Sequence, residues 1–199
     1  MTPTQVVFDI GNVLVDWQPH LAWAQDMDRA AIDAFMQRID FGALNLRADR
    51  GARFEDLADS LDDPADRARL KQYVPRYALT VPDRVPGTWD LVDRLIARNV
   101  PMHAITNWSL ETWPEGLKVH PRLGEIFGTL VVSGAVGLIK PDPAIYRLFC
   151  ARAGVAPEAC VFVDDKRDNC EAARGIGMDA IHFTGADALQ AGLTDRGLL

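Results

Sequence analysis

The sequence is poor in cysteine, in basic charge and in long apolar runs, and each shortage removes a class of protein. Its three cysteines, Cys150, Cys160 and Cys170, are odd in number and form no Cys-x-x-Cys pair. That argues against a disulfide framework or a zinc site and suits a reducing compartment. They are assigned to packing, since free cysteine behaves as a small hydrophobe. Lysine and arginine number 21 against 28 acids, giving a net charge of −7 and a pI near 5.0. A binder of nucleic-acid backbone needs the opposite balance, because its affinity comes from a basic surface that releases counterions. A small-molecule partner is expected instead. The longest uncharged run, which contains residues 128–139 and lies between Glu125 and Lys140, is too short to cross a bilayer. The stretch from Met1 to Trp17 has no basic leader and is broken by Asp9, so it reads as neither signal peptide nor anchor. A cytoplasmic protein without a membrane partner is the expectation. The amphipathic patterns are all accounted for by one core and leave the oligomeric state open.

What is present is a pattern of alternation. With 48% hydrophobic and 25% charged residues over 199 positions, the chain can close one sizeable core with a smaller lobe attached. Five short β-like runs, at 5–8, 102–105, 129–133, 160–163 and 180–183, are bounded by turn residues. Most are continuously apolar, as expected of strands covered on both faces in a parallel sheet. Between them lie helical patterns at 88–98, with Trp89, Val92, Leu95 and Ile96 on one face, and at 143–153, where Pro143 stands in the first turn. The class is therefore α/β, a doubly wound Rossmann-like parallel sheet. Gly175 and Gly177 follow a helix instead of opening one, so they stop it and form no dinucleotide loop. Residues 17–82 break the alternation: they contain no strand pattern and read as helices, including 29–39 and 66–77. An insertion just after the first strand would stand above the carboxyl ends of the strands, where open α/β sheets bind ligands. The expected division is a catalytic core of 1–16 and 83–199 with an α-helical cap of 17–82.

Four segments carry chemistry. The first strand ends in Asp9-Ile10-Gly11-Asn12, delivering a carboxylate to the carboxyl edge of the sheet and turning at glycine. The second ends in Ile105-Thr106-Asn107, which places a hydroxyl and an amide at the same edge. Lys140, in Lys140-Pro141-Asp142-Pro143, sits just ahead of a proline-initiated helix and is one of only four lysines beside seventeen arginines. Another buried strand ends in Val163-Asp164-Asp165, with Asn169 following, and adjacent acids at a strand end are costly without a cation nearby. Each segment alone has a plain alternative as a turn cap, a strand end or a solvated loop. Parallel strands would bring all of them to one edge.

These motifs, in this order, resemble the haloacid dehalogenase superfamily over nearly the whole chain, in the branch with a helical cap after the first strand. Arg50-Gly51 followed by Phe54 resembles that branch's short cap motif. The resemblance implies a Mg²⁺-dependent phosphomonoester hydrolase acting on a small phosphorylated metabolite. Asp9 would attack phosphorus to give an aspartyl-phosphate that water then hydrolyses. Thr106 and the amide of Asn107 would donate to phosphoryl oxygens, and Lys140 would balance charge. Asp9, the Gly11 carbonyl and Asp165 would hold Mg²⁺, with Asp164 helping directly or through water. Gly11, Asn12, Asn107, Trp108 and Arg50 are the candidate substrate-binding residues, with Asn45 and Arg47 further candidates on the cap. The other tryptophans, Trp17, Trp23, Trp89 and Trp113, are assigned mainly to packing.

One position departs from the family. Most phosphatases of the superfamily carry a second Asp two residues past the nucleophile, which protonates the leaving alcohol; this chain has Gly11. General acid–base catalysis of about 10²- to 10⁴-fold must then come from elsewhere or be forgone, with a preference for activated esters. Asp16 and His20 are the nearest substitutes by sequence, though a hinge residue and an ordinary polar side chain describe them better. The rival within the fold is a metal-independent 2-haloacid dehalogenase, for which Gly11 and the Lys140–Tyr146 spacing are both suitable. Asp164 and Asp165 oppose it, because they would repel a haloacid's carboxylate. A non-catalytic binding protein would be expected to show erosion of the other motifs, and none is eroded.

Overall fold

The computed structural model of the chain describes residues 2–199. In chain order it comprises β1 (Gln5–Phe8), α1 (Arg29–Arg38), α2 (Phe41–Asp49), α3 (Phe54–Asp59), α4 (Pro64–Lys71), α5 (Thr88–Ala97), β2 (Met102–Thr106), α6 (Trp113–Val119), β3 (Leu130–Val132), α7 (Ser133–Val136), α8 (Pro143–Ala153), β4 (Cys160–Asp164), α9 (Arg167–Gly175), β5 (Asp179–His182) and α10 (Ala186–Thr194). The five strands form one parallel sheet in the order β3-β2-β1-β4-β5. Its winding direction changes between β1 and β4, the crevice where doubly wound sheets bind ligands. In that crevice Phe8 pairs with Val163, and the Asp9 N–H donates to the Val163 carbonyl at 2.8 Å. Asp9 and Asp164 are thereby placed side by side.

Both faces of the sheet are apolar because successive side chains alternate sides. Val6, Phe8, Ala104, Val161 and Val163 face one cluster, which takes in Trp89, Val92 and Leu95 of α5 and Leu189 and Leu193 of α10. Val7, Ile105 and Phe162 face the other, with Ile145, Tyr146 and Phe149 of α8 and Cys170 and Ala173 of α9. All three cysteines are buried and free. Complete burial of a Val, Ile or Phe side chain is worth about 1.5–3 kcal/mol, so the central strands form a rigid base for the charged edge above them.

Between β1 and α5 the chain is helical. It leaves the sheet at Asp16, whose N–H donates to the Asp83 carbonyl at 3.0 Å, and returns through a bridge between Val15 and Arg84. Trp23, Phe41, Phe54 and Tyr77 gather around Tyr73 in this segment, and Phe35 meets Trp23 edge-on: Trp23 stacks on Tyr73 at 5.5 Å, and Phe41 meets Tyr73 edge-on at 5.0 Å. The helix expected over 66–77 begins earlier and stops sooner. Asp63 caps α4 by accepting from Ala65 and Asp66, and Pro64 fits the first turn. Pro75 has no N–H and disfavours a helical Val74, so the chain beyond Lys71 tightens into turns. The third strand likewise ends one residue early, because Ser133 opens α7, which Gly137 closes at φ +71°. No helix among the described residues is long and apolar enough to cross a membrane.

Candidate active site

The carboxyl edge carries a buried ion cluster. Lys140 Nζ lies 2.7 Å from Asp9 Oδ1 and 2.7 Å from Asp164 Oδ2, and the three side chains are almost fully enclosed. Asp164 is saturated by the protein: Oδ1 accepts from the Lys166 N–H at 2.8 Å and from Asn169 Nδ2 at 2.9 Å, while Oδ2 accepts from Lys140 and Asn169. Asp165 is freer, with one long contact of 3.5 Å from Asn12 Nδ2. Carboxylate oxygens of Asp9, Asp164 and Asp165 lie within 4.8 Å of one another. Burial raises the Asp9 pKa; Lys140 opposes that, and Asp164 and Asp165 add to it. Burial would lower Lys140, but the carboxylates of Asp9 and Asp164 outweigh it and hold its pKa above the usual value. Burial and the Asp164 charge also raise Asp165. Three acids face one lysine, an excess of negative charge that a hard cation with oxygen ligands would balance.

Lys140 reaches this place from a loop, and Asn107 fixes the loop. The Asn107 side chain accepts from the Lys140 N–H at 2.8 Å and donates to the Lys140 carbonyl at 3.0 Å. Its side-chain amide is thus engaged by protein, which leaves its backbone N–H for any phosphoryl oxygen. Thr106 ends β2 with Oγ1 buried and without a partner, although buried hydroxyls are ordinarily hydrogen-bonded.

A cavity of about 210 Å³ opens over the cluster. Asp9, Gly11, Asn12, Asn107, Trp108, Lys140 and Asp165 line it; Thr106 and Asp164 lie behind its wall. Trp108 is anchored by its N–H to Ser133 Oγ at 2.9 Å and packs on Trp113, in a space that exists because Gly116 has no side chain. Arg50 is not on this cavity but on an adjoining one of about 520 Å³, together with Lys140, Lys166 and Arg167. Asn45 lines the first cavity and Arg47 neither. Asp16 accepts from Gln18 at 2.7 Å, and neither it nor His20 lines a cavity. Gly11 has no positive φ, and a Cβ built on it meets nothing within 4 Å, so the backbone does not demand glycine there.

One carboxylate escaped sequence reasoning. Asp49, the last residue of α2, is buried and lines the cavity. Gly42, Asn45, Leu46 and Asp49 follow the i, i+3, i+4, i+7 spacing of one helix face, and that face looks into the cavity. Phe41, Leu44 and Ala48 bury the other face in the core. Asn45 Nδ2 donates to Asp49 Oδ2 at 3.1 Å. Burial raises the Asp49 pKa to about 7 against the pull of Lys166 and Lys140. The visible signal was this polar i, i+4 pair on a helix whose opposite side is apolar.

The comparisons with known proteins identify the family. The haloacid dehalogenase-like hydrolase family matches residues 4–177, and the chain belongs to that family. It is 30% identical over 192 residues to a phosphoglycolate phosphatase of Pseudomonas putida, covering 92% of this chain and 70% of that one. It is 32% identical over 112 residues to flavin mononucleotide hydrolase 1 of Arabidopsis thaliana, covering 56% of this chain and 45% of that one. Its fold is similar to that of a HAD family enzyme of Bacteroides thetaiotaomicron solved as a magnesium complex, with a TM-score of 0.72 at 18% identity, covering 93% and 95% of the two chains. The chain is accordingly a hydrolase with phosphatase relatives.

Proposed function

We propose that the chain is a phosphomonoester hydrolase whose nucleophile is Asp9. The observation that carries this reading is the Lys140 ammonium lying 2.7 Å from both Asp9 and Asp164, with Asp165 completing a triad of acids around an open cavity. Asp9 Oδ1 accepts from Lys140 and from the Ile10 N–H at 2.7 Å, which orients the carboxylate and leaves its second oxygen for attack on phosphorus. Lys140 would then offset charge on the transferring group, the Asn107 backbone N–H would donate to its oxygens, and the unpartnered Thr106 hydroxyl, behind the cavity wall, would donate to an oxygen that reaches it. Asp9, the Gly11 carbonyl and Asp165 would hold the metal; Asp164, its oxygens already engaged, would act through water and by anchoring Lys140. Mg²⁺ fits this all-oxygen donor set and, when bound, would supply charge neutralisation at the nucleophile and the phosphoryl oxygens.

Residues 17–82 would serve as a cap over this site, with α2 forming the roof. The adjoining cavity, flanked by Arg50, Lys166 and Arg167, suits a second anionic group on the leaving portion of a small substrate. A phosphorylated hydroxy acid, as the name of the P. putida relative describes, carries such a group. The dehalogenase reading fits less well: Tyr146, which it would pair with Lys140, is buried and donates its hydroxyl to the Asn169 carbonyl at 3.0 Å. The deciding assay measures phosphate release from phospho-acids, sugar phosphates and nucleotides with and without Mg²⁺, beside halide release from a 2-haloacid. Metal-dependent phosphate release is expected, and metal-independent halide release would overturn the reading.

A further inference from the structure

The cavity lacks a proton donor where most phosphatases of this family carry one, and Gly11 leaves that place empty of any carboxyl group. Among the residues that line the cavity, the acids are Asp9, Asp165 and Asp49. The first two belong to the cluster around Lys140, leaving Asp49 as the acid outside it. It stands on the face of α2 that looks into the cavity, and Asn45 orients it by a bond to Oδ2, while Oδ1 takes part in no hydrogen bond among the described residues.

We propose that Asp49 is the general acid and base of this enzyme, giving its proton to the leaving oxygen of the substrate. The inference rests on the phosphatase reading. In the first step the bond from an Asp9 oxygen to phosphorus forms, the bond from phosphorus to the substrate oxygen breaks, and the Asp49 proton moves to that oxygen to release an alcohol. In the second step water enters the position the alcohol has left and attacks phosphorus. One water proton goes to the Asp49 carboxylate, and the phosphorus–Asp9 bond breaks to release phosphate. One group serves both steps because leaving alcohol and entering water occupy the same apical position.

The surroundings favour a proton on this carboxyl group. It is buried, and it ends a helix, where the partial negative charge of the last carbonyls opposes an anion. Tyr73 and Tyr77, shifted upward chiefly by burial and further by its charge, lie close, while Lys166 and Lys140 pull the other way and keep the group titratable near pH 7. A donor titrating near the working pH is the one best suited to this task.

The test compares wild type with Asp49→Asn on an alkyl phosphate and on p-nitrophenyl phosphate, following phosphoenzyme formation and phosphate release separately. The variant should lose about 10²- to 10⁴-fold on the alkyl ester but less than about tenfold in phosphoenzyme formation from the aryl ester, whose leaving group needs no proton. Phosphoenzyme should accumulate from the aryl ester, since the second step lacks its base. Adding Gly11→Asp to Asp49→Asn should recover part of the alkyl activity, which a merely structural role would not permit. Should Asp49→Asn not fold, Asp49→Ser carries the same comparison. Equal losses on both esters, or no loss on either, would overturn the proposal while leaving the nucleophile untouched. Absence of any phosphoenzyme in wild type would overturn the phosphatase reading itself.

Discussion

The Asn107 side chain grips the backbone of Lys140 from both sides, accepting from its N–H at 2.8 Å and donating to its carbonyl at 3.0 Å. A residue at the end of β2 thus positions a lysine 33 residues later in the chain. Asn107→Leu removes both bonds and leaves the loop free to drift. A misplacement of about 1 Å in such a group costs about 10²-fold, so kcat should fall by roughly that factor, with KM changing less. Steady-state kinetics on a variant of unchanged circular dichroism would check this.

Lys140→Met should be worse than inactive. It leaves Asp9 and Asp164 buried without their cation, and breaking a buried pair by removing one partner costs about 3–5 kcal/mol. Urea denaturation should show a loss of that order without metal and a smaller loss in excess Mg²⁺, because the ion would replace part of the missing charge.

The alternation of apolar runs with helical faces announced the doubly wound sheet, because burial on both sides leaves few polar positions in β1, β2 and β4. The motifs placed Asp9, Asp164 and Asp165 on one edge because parallel strands end together, and Lys140 joins them from the loop between α7 and α8. Relations between distant segments were not legible. The Asn107 clamp on Lys140 depends on the path of a loop, and the saturation of Asp164 depends on how α9 swings Asn169 back toward it. Asp49 was hidden for a related reason: an acid ending a surface-like helix reads as solvated until the helix is known to roof a cavity. The early end of α4 is masked in the sequence because apolar spacing continues to Tyr77 while Pro75 interrupts the hydrogen bonding.

Asp49 also makes stability depend on pH. Its pKa is about 7 in the folded chain and near the ordinary 3.8 when unfolded, so between these values the folded state binds a proton that the unfolded state has released. Its contribution is fully present below about pH 4 and is lost as pH rises through 7, for a total on the order of 2–4 kcal/mol. Asp49→Asn should therefore match wild type near pH 4 and exceed it in thermal stability at pH 8. A difference that stays the same at both pH values would contradict the burial argument.

Chelation with EDTA should abolish turnover and added Mg²⁺ restore it, since three acids within 4.8 Å hold off a phosphate dianion unless a cation stands among them. Calorimetric titration of Mg²⁺ into the apo protein should show one site, weakened at least tenfold in Asp165→Asn. Full turnover in EDTA would contradict this.

The most direct test of the central claim is to trap the covalent intermediate. Enzyme mixed with an aryl phosphate and quenched in acid should carry one phosphoryl group, and borohydride reduction of the acyl phosphate should convert residue 9 to homoserine, readable by peptide mass spectrometry. Asp9→Asn, checked for deamidation, should show neither label nor turnover. Sustained phosphate release by that variant, or label at a residue other than Asp9, would contradict the account.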